Sequence, residues 1–126
     1  MNYKALHTCI RVKNLEESIK FYENVLNMTI SEKKDFPEDE FTLVYLKDSS
    51  SNHEIELTYN YNHEPYDLGN GYGHMAYEVD NLQESYDKHK ELGYKMTDIG
   101  GLSDNSVSFY FITDPDGYDI EIIGKK

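Results

Sequence analysis

The sequence predicts an α+β chain in which one β-α-β-β-β module is written twice. Three observations predict it. First, His7–Ser18, reading HTCIRVKNLEES, returns at His74–Ser85 as HMAYEVDNLQES, with six of the twelve positions identical: His, Val, Asn, Leu, Glu and Ser. Self-similarity of this kind outranks local signals, because missing it misassigns the whole fold. Second, the same order of hydrophobic periods follows each copy, with alternation, then helical spacing, then alternation again. Third, both halves end alike, in Ile55-Glu56-Leu57 and Ile120-Glu121-Ile122. The offset falls from 67 residues between the histidines to 65 between the glutamates, as two single-residue loop deletions would produce.

In the first copy, Leu6–Val12 alternates, with Leu6, Thr8, Ile10 and Val12 on one face and His7, Cys9 and Arg11 on the other. Asn14 reads as an N-cap, with Glu17 three residues on to complete a variant capping box. Leu15, Ile19, Tyr22 and Leu26 follow helical spacing, and Asn27 can take the left-handed conformation that ends a helix. A short strand is expected at Met28–Ser31, then a charged loop over Ser31–Glu40 containing Pro37, then strands at Phe41–Lys47 and Glu54–Tyr59 around a polar turn. Asn60–Tyr72 carries Pro65, Gly69 and Gly71 and reads as a connection.

The second copy repeats the plan. A strand is expected at His74–Val79, a helix from Leu82 stopped by Gly93, a strand at Tyr94–Ile99 and a loop at Gly100–Ser106. A strand at Val107–Ile112 then leads through Asp114-Pro115-Asp116-Gly117, a type I turn, into Tyr118–Ile123. The expected organisation is one domain over 1–126, made of a module at 1–60, a linker at 61–72 and a second module at 73–126.

Bulk properties narrow the function. A chain of 126 residues buries roughly two thirds of its unfolded surface, so it needs no disulfide, and its single cysteine, Cys9, cannot form one within the chain. A reducing, cytoplasmic setting is the expectation, with no apolar leader after Met1. The net charge of −12 argues against nucleic acid and anionic membranes as partners, since both are gripped by clustered Lys and Arg. Arg11 is the only arginine, which makes its position informative.

Two histidines open the first strands of equivalent modules and two glutamates lie on the last strands. A lone histidine or glutamate on an alternating strand ordinarily just meets solvent. The duplication changes that balance: if the modules curl side by side, His7, Glu56, His74 and Glu121 can face one concavity. Two neutral imidazoles and two carboxylates suit a divalent first-row metal. His53, His63 and His89 have no counterpart in the other copy, and no glycine-rich phosphate loop, CxxC pair or HExxH occurs. Cys9 shares the His7 face and reads as a small packed side chain.

The stretches LHTCIRV, FYENVLNM, IELTYN, YGHMAYEVDN and DPDGYDIEII together resemble glyoxalase I, the lactoylglutathione lyase of the vicinal-oxygen-chelate superfamily, in its short bacterial form. That resemblance implies tandem βαβββ modules forming curved mixed sheets around a metal cleft, and metal ligation by His7, Glu56, His74 and Glu121. It implies isomerisation of the methylglyoxal–glutathione hemithioacetal to S-lactoylglutathione through an enediolate, which serves methylglyoxal detoxification. Glu121 takes the role of base, with Glu56 as ligand and second proton carrier. Arg11 and Asn60 fall where the family holds the γ-glutamyl end of glutathione. The resemblance further implies Ni²⁺ or Co²⁺ rather than Zn²⁺, and a homodimer whose sites lie between subunits, each metal taking two ligands from each chain.

Two positions depart from the family pattern. Asn70 stands where some members have an arginine, and Gly100–Ser106 lacks the cation that often meets the glycine carboxylate of glutathione. A co-substrate of glutathione or another thiol is therefore expected. The alternatives are another enzyme of the superfamily, such as an antibiotic-resistance thiol transferase or a CoA-ester epimerase, and a metal-free small-ligand binding module. A dioxygenase fits less well, since its usual set is two histidines and one carboxylate.

Overall fold

A computed structural model gives the structure of residues 1–126. The chain falls into two units, Met1–Asp67 and Leu68–Lys126.

The first unit runs β1 (His7–Arg11), α1 (Leu15–Leu26), β2 (Thr29–Phe36), β3 (Phe41–Lys47) and β4 (Glu54–Asn60). Its sheet has the order β1-β4-β3-β2, with β1 parallel to β4 and the other pairs antiparallel. The parallel pair is what the crossover helix makes possible, since β1 and β4 never need a tight turn between them. Ile10, Val12, Val44, Leu46, Ile55 and Leu57 are buried on one face, together with Phe21, Tyr22 and Val25 of α1. Strand periodicity sends the neighbours of these residues, including His7, Cys9, Tyr45, Glu56 and Thr58, to the other face.

α1 begins as its sequence dictates: the Asn14 side chain accepts from the Glu17 backbone N–H at 3.1 Å, and Asn27 closes the helix in the left-handed conformation at φ 53°. β2 departs from expectation. The charged segment expected as a loop over 31–40 is strand as far as Phe36, with only residues 37–40 in a turn. Its backbone pairs with β3 along its length, through an irregularity between Ile30 and Glu32. Thr42 holds it by donating to Asp35 at 2.7 Å, and the Phe36 and Phe41 rings meet at 4.9 Å. β2 is an edge strand, and charge on both faces of an edge blocks further strand pairing rather than forbidding strand structure.

The second unit runs β5 (Met75–Val79), α2 (Leu82–Leu92), β6 (Gly100–Gly101), β7 (Ser108–Thr113) and β8 (Asp119–Gly124), with sheet order β5-β8-β7-β6. Asn81 caps α2 by accepting from Glu84 N–H at 3.0 Å, and Gly93 at φ 81° ends it. The strand expected at Tyr94–Ile99 is reduced to a bridge between Met96 and Ile112, and the expected loop begins with the two residues of β6. The cause is a shift of register. Met96 pairs with Ile112, whereas Gly100 pairs with Phe109, which leaves one extra residue on the first strand, a β-bulge. Both units thus keep the βαβββ order, with a long third-position edge in the first and a stub in the second.

A candidate metal centre built in two equivalent halves

In the first unit, His7 stands at the start of β1 and Glu56 in the middle of β4. Cys9 is the residue directly opposite Glu56, so His7 lies diagonally across on the same face. The His7 Nε2 and Glu56 Oε2 atoms are 3.5 Å apart, with the side chains 36% and 12% exposed. In the second unit, His74 immediately precedes β5 and Ala76 is opposite Glu121. His74 Nε2 and Glu121 Oε1 are 3.3 Å apart, with exposures of 39% and 16%. One aromatic ring backs each histidine edge-on: Tyr45 against His7 at 5.6 Å and Phe111 against His74 at 5.0 Å.

The donor chemistry of each pair fits a divalent first-row metal: one imidazole nitrogen on a part-exposed histidine and one carboxylate oxygen on a largely covered glutamate. Two ligands at about 2.1 Å from a metal and at right angles lie about 3 Å from each other, close to both separations. No group of three or more His, Cys, Asp or Glu side chains suited to a metal forms in the chain. Each unit therefore presents a pair of ligands rather than a full shell.

The surroundings of the two carboxylates differ. Tyr45, directly opposite Glu56 on β3, donates its hydroxyl to Glu56 Oε2 at 2.5 Å. Thr58 donates to Glu56 Oε1 at 3.4 Å, and the Cys9 thiol also bonds the carboxylate while lying 3.2 Å from Thr58 Oγ1. Burial alone would raise the Glu56 pKa; the hydrogen bonds of Tyr45, Cys9 and Thr58 and the charge of His7 outweigh it and hold the carboxyl below its usual range. The same bond, with burial second, pushes the Tyr45 phenol up to about 12. Burial is the largest influence on the Cys9 thiol and raises it; the Thr58 hydrogen bond, next in size, pulls it down, and the Glu56 carboxylate adds to the rise.

Arg11 is exposed at the end of β1, on the face of His7 and Cys9, with Thr58 as its register partner. Asn60 ends β4 on the face of Glu56 and Thr58, and its amide donates to the Tyr66 hydroxyl at 3.0 Å. The remaining histidines pair with neither glutamate. His53 lies 2.9 Å from Thr8 Oγ1; His63 stacks on Tyr66 at 4.3 Å; His89, on the buried side of α2, is 2% exposed and lies 2.7 Å from the Tyr110 hydroxyl. The loop after β6 adds no cation: Asp104 caps Ser106 N–H at 2.9 Å, and these Ser106 bonds hold its carboxyl below the usual range. Sequence reasoning missed Tyr45 and Thr58. The signal was present, since Phe41–Lys47 and Glu54–Asn60 are a hairpin-like pair and their register puts Tyr45 opposite Glu56.

The sequence profile described as the Glyoxalase/Bleomycin resistance protein/Dioxygenase superfamily matches residues 4–122. A protein of Neisseria meningitidis serogroup A named lactoylglutathione lyase is 44% identical over 126 residues, spanning 98% of this chain and 91% of its own length. The solved structure of Leishmania major glyoxalase I, described as trypanothione-dependent, is similar with a TM-score of 0.83 and 36% identity, over 98% of this chain and 87% of that one. Glyoxalase I from Zea mays gives a TM-score of 0.88 at 34% identity; 97% of this chain is covered, but it spans only 44% of the maize chain.

Proposed function

The chain belongs to the Glyoxalase/Bleomycin resistance protein/Dioxygenase superfamily, and from that premise we propose that it is a divalent-metal-dependent lactoylglutathione lyase. The observation that carries the reading is the duplicated His–Glu pair, His7 with Glu56 and His74 with Glu121. It stands in a chain whose relative from Neisseria meningitidis, named for that activity, is 44% identical.

The reaction moves a proton between adjacent carbons of a hemithioacetal. A base must take a weakly acidic C–H proton, and the barrier falls chiefly by stabilising the oxygens of the resulting enediolate. His7, Glu56, His74 and Glu121 would hold the ion, which when bound supplies Lewis-acid stabilisation of those oxygens, worth several kcal/mol. With four protein ligands, an ion that takes six would still have room for substrate. A tetrahedral ion would be saturated, so Ni²⁺ or Co²⁺ is favoured over Zn²⁺.

Glu121 is assigned the proton transfer, a contribution of about 10²–10⁴-fold for a positioned base. Glu56 is assigned ligation, with a second proton-carrying role. Arg11 and Asn60 would orient the thiol half of the substrate, Arg11 through a carboxylate. The equivalent of Arg11 in the second unit is Glu78, so only the first unit can make that contact. Since 100–106 offers no cation, the co-substrate is glutathione or another thiol.

Each unit presents two ligands, which favours a homodimer in which His7 and Glu56 of one copy meet His74 and Glu121 of the other. A cytoplasmic setting completes the reading, supported by the exposed free thiol of Cys9. No helix is long and apolar enough to cross a membrane.

The test is thioester formation from methylglyoxal and a panel of thiols by metal-stripped protein reloaded with Ni²⁺, Co²⁺ or Zn²⁺. The expected result is no thioester without metal and faster formation with Ni²⁺ or Co²⁺ than with Zn²⁺. Protein that binds metal tightly yet makes no thioester with any thiol would overturn the assignment.

A further inference from the structure

The two half-sites have the same ligands and opposite surroundings, position by position. Opposite Glu56 across β3 is Tyr45; opposite Glu121 across β7 is Phe111. Opposite Glu56 across β1 is Cys9; opposite Glu121 across β5 is Ala76. Two residues beyond Glu56 is Thr58; two beyond Glu121 is Ile123. Apart from the histidine, every donor that touches the first carboxylate is replaced in the second unit by a side chain with no donor. The Tyr45 hydroxyl is the shortest of these contacts, at 2.5 Å to Oε2, the oxygen that also faces His7 at 3.5 Å. A carboxylate held by three side chains is fixed in rotamer. Glu121 has Phe111, Ala76 and Ile123 as strand neighbours, none of which can donate a side-chain hydrogen bond to it, and His74 lies 3.3 Å away.

We propose that Tyr45 is a positioning residue that fixes Glu56 as the stationary ligand, and that Phe111, standing in its place in the second unit, leaves the moving, proton-carrying role to Glu121. The proposal rests on the lyase reading and deepens it. It states why two carboxylates of equal chemistry at equivalent places would do different work. Tyr45 acts only through Glu56. Its ring packs edge-on against His7, so removal of the oxygen alone leaves the packing in place.

The experiment uses Tyr45→Phe in the full-length protein, alone and combined with Glu121→Gln, and reads two quantities. The first is Ni²⁺ affinity by competition with a chelator, which requires no turnover. Loss of an outer-shell donor should weaken it about 10–100-fold. The second is the residual turnover of Glu121→Gln, in which Glu56 is the one remaining carboxylate. Releasing Glu56 should raise that residual rate roughly tenfold or more, within the range a positioned base contributes, whereas a purely structural tyrosine would lower it. Unchanged Ni²⁺ affinity, or a fall in the residual turnover, overturns the proposal. If the unaltered protein makes no thioester, the lyase reading has failed and the affinity comparison alone decides the role of Tyr45.

Discussion

Glu56→Gln and Glu121→Gln are isosteric changes at equivalent places, and their effects on the stability of the metal-free protein should differ. Glu56 accepts from Tyr45 at 2.5 Å and from Thr58 at 3.4 Å, with Cys9 as a third donor. A hydrogen bond to a charged acceptor contributes about 1.5–3 kcal/mol and a neutral one about 0.5–1.5. The Tyr45 bond is the short one among these contacts, so neutralising Glu56 removes roughly 1–1.5 kcal/mol. Part of that is offset, because the charged carboxylate no longer has to be desolvated. The net expectation is about 1 kcal/mol, a fall of roughly 3–5 °C in midpoint for a chain of this length. Glu121 has His74 as its polar neighbour and Phe111 opposite it, so its replacement should stay within about 0.5 kcal/mol.

The assay is thermal or urea unfolding of both variants with the metal removed, repeated from neutral to acid pH. The folded pKa of Glu56 is depressed, so its stabilisation is fully present above the unfolded carboxyl pKa of about 4.3 and is lost as pH falls through the folded value. The penalty of Glu56→Gln should therefore fade in acid, where the parent carboxyl is itself protonated. Equal penalties for the two variants, or a Glu56→Gln penalty that persists unchanged in acid, would refute the reasoning.

Three further outcomes are expected. Glu121→Gln should lower thioester turnover more than about a hundredfold while retaining bound Ni²⁺, because the amide oxygen can still ligate; full turnover would move the base to Glu56. Arg11→Ala should raise KM for the thiol substrate with little change in kcat, and an unchanged KM removes its assigned contact. Asn14→Ala and Asn81→Ala should each cost about 1 kcal/mol in unfolding experiments, since each side chain caps a helix by accepting one backbone N–H; a neutral result at either would show that the cap does not stabilise its helix.

The repeat made the architecture legible, because sequence identity between two copies forces the same order of elements on both. Helix ends were equally readable, since Asn14 and Asn81 cap their own helices through their side chains, while Asn27 and Gly93 end theirs through left-handed backbone. What failed were the two strands at the third position of each module. Residues 31–36 look like a loop because their charges carry no alternation, but an edge strand has no buried face to demand it. Residues 94–99 show strand propensity, yet the register shift between Met96 and Gly100 limits them to a bridge, and register is a property of the pair rather than of either strand. The ligand candidates were visible as duplicated residues. Tyr45, Cys9 and Thr58 became visible as neighbours of Glu56 only once pairing placed them beside it, because they are the residues the second copy does not repeat.

The central claim is that His7 with Glu56 and His74 with Glu121 are complementary halves of one catalytic metal site shared between two chains. It is tested by mixing two inactive proteins, His7→Ala/Glu56→Ala and His74→Ala/Glu121→Ala, allowing subunits to exchange, and measuring thioester formation with Ni²⁺. Mixed dimers would hold one intact site and one site lacking all four ligands. Since half of randomly assorted dimers are mixed, turnover should return to about a quarter of the parent value. No recovery on mixing, or substantial turnover by either variant alone, would contradict the claim.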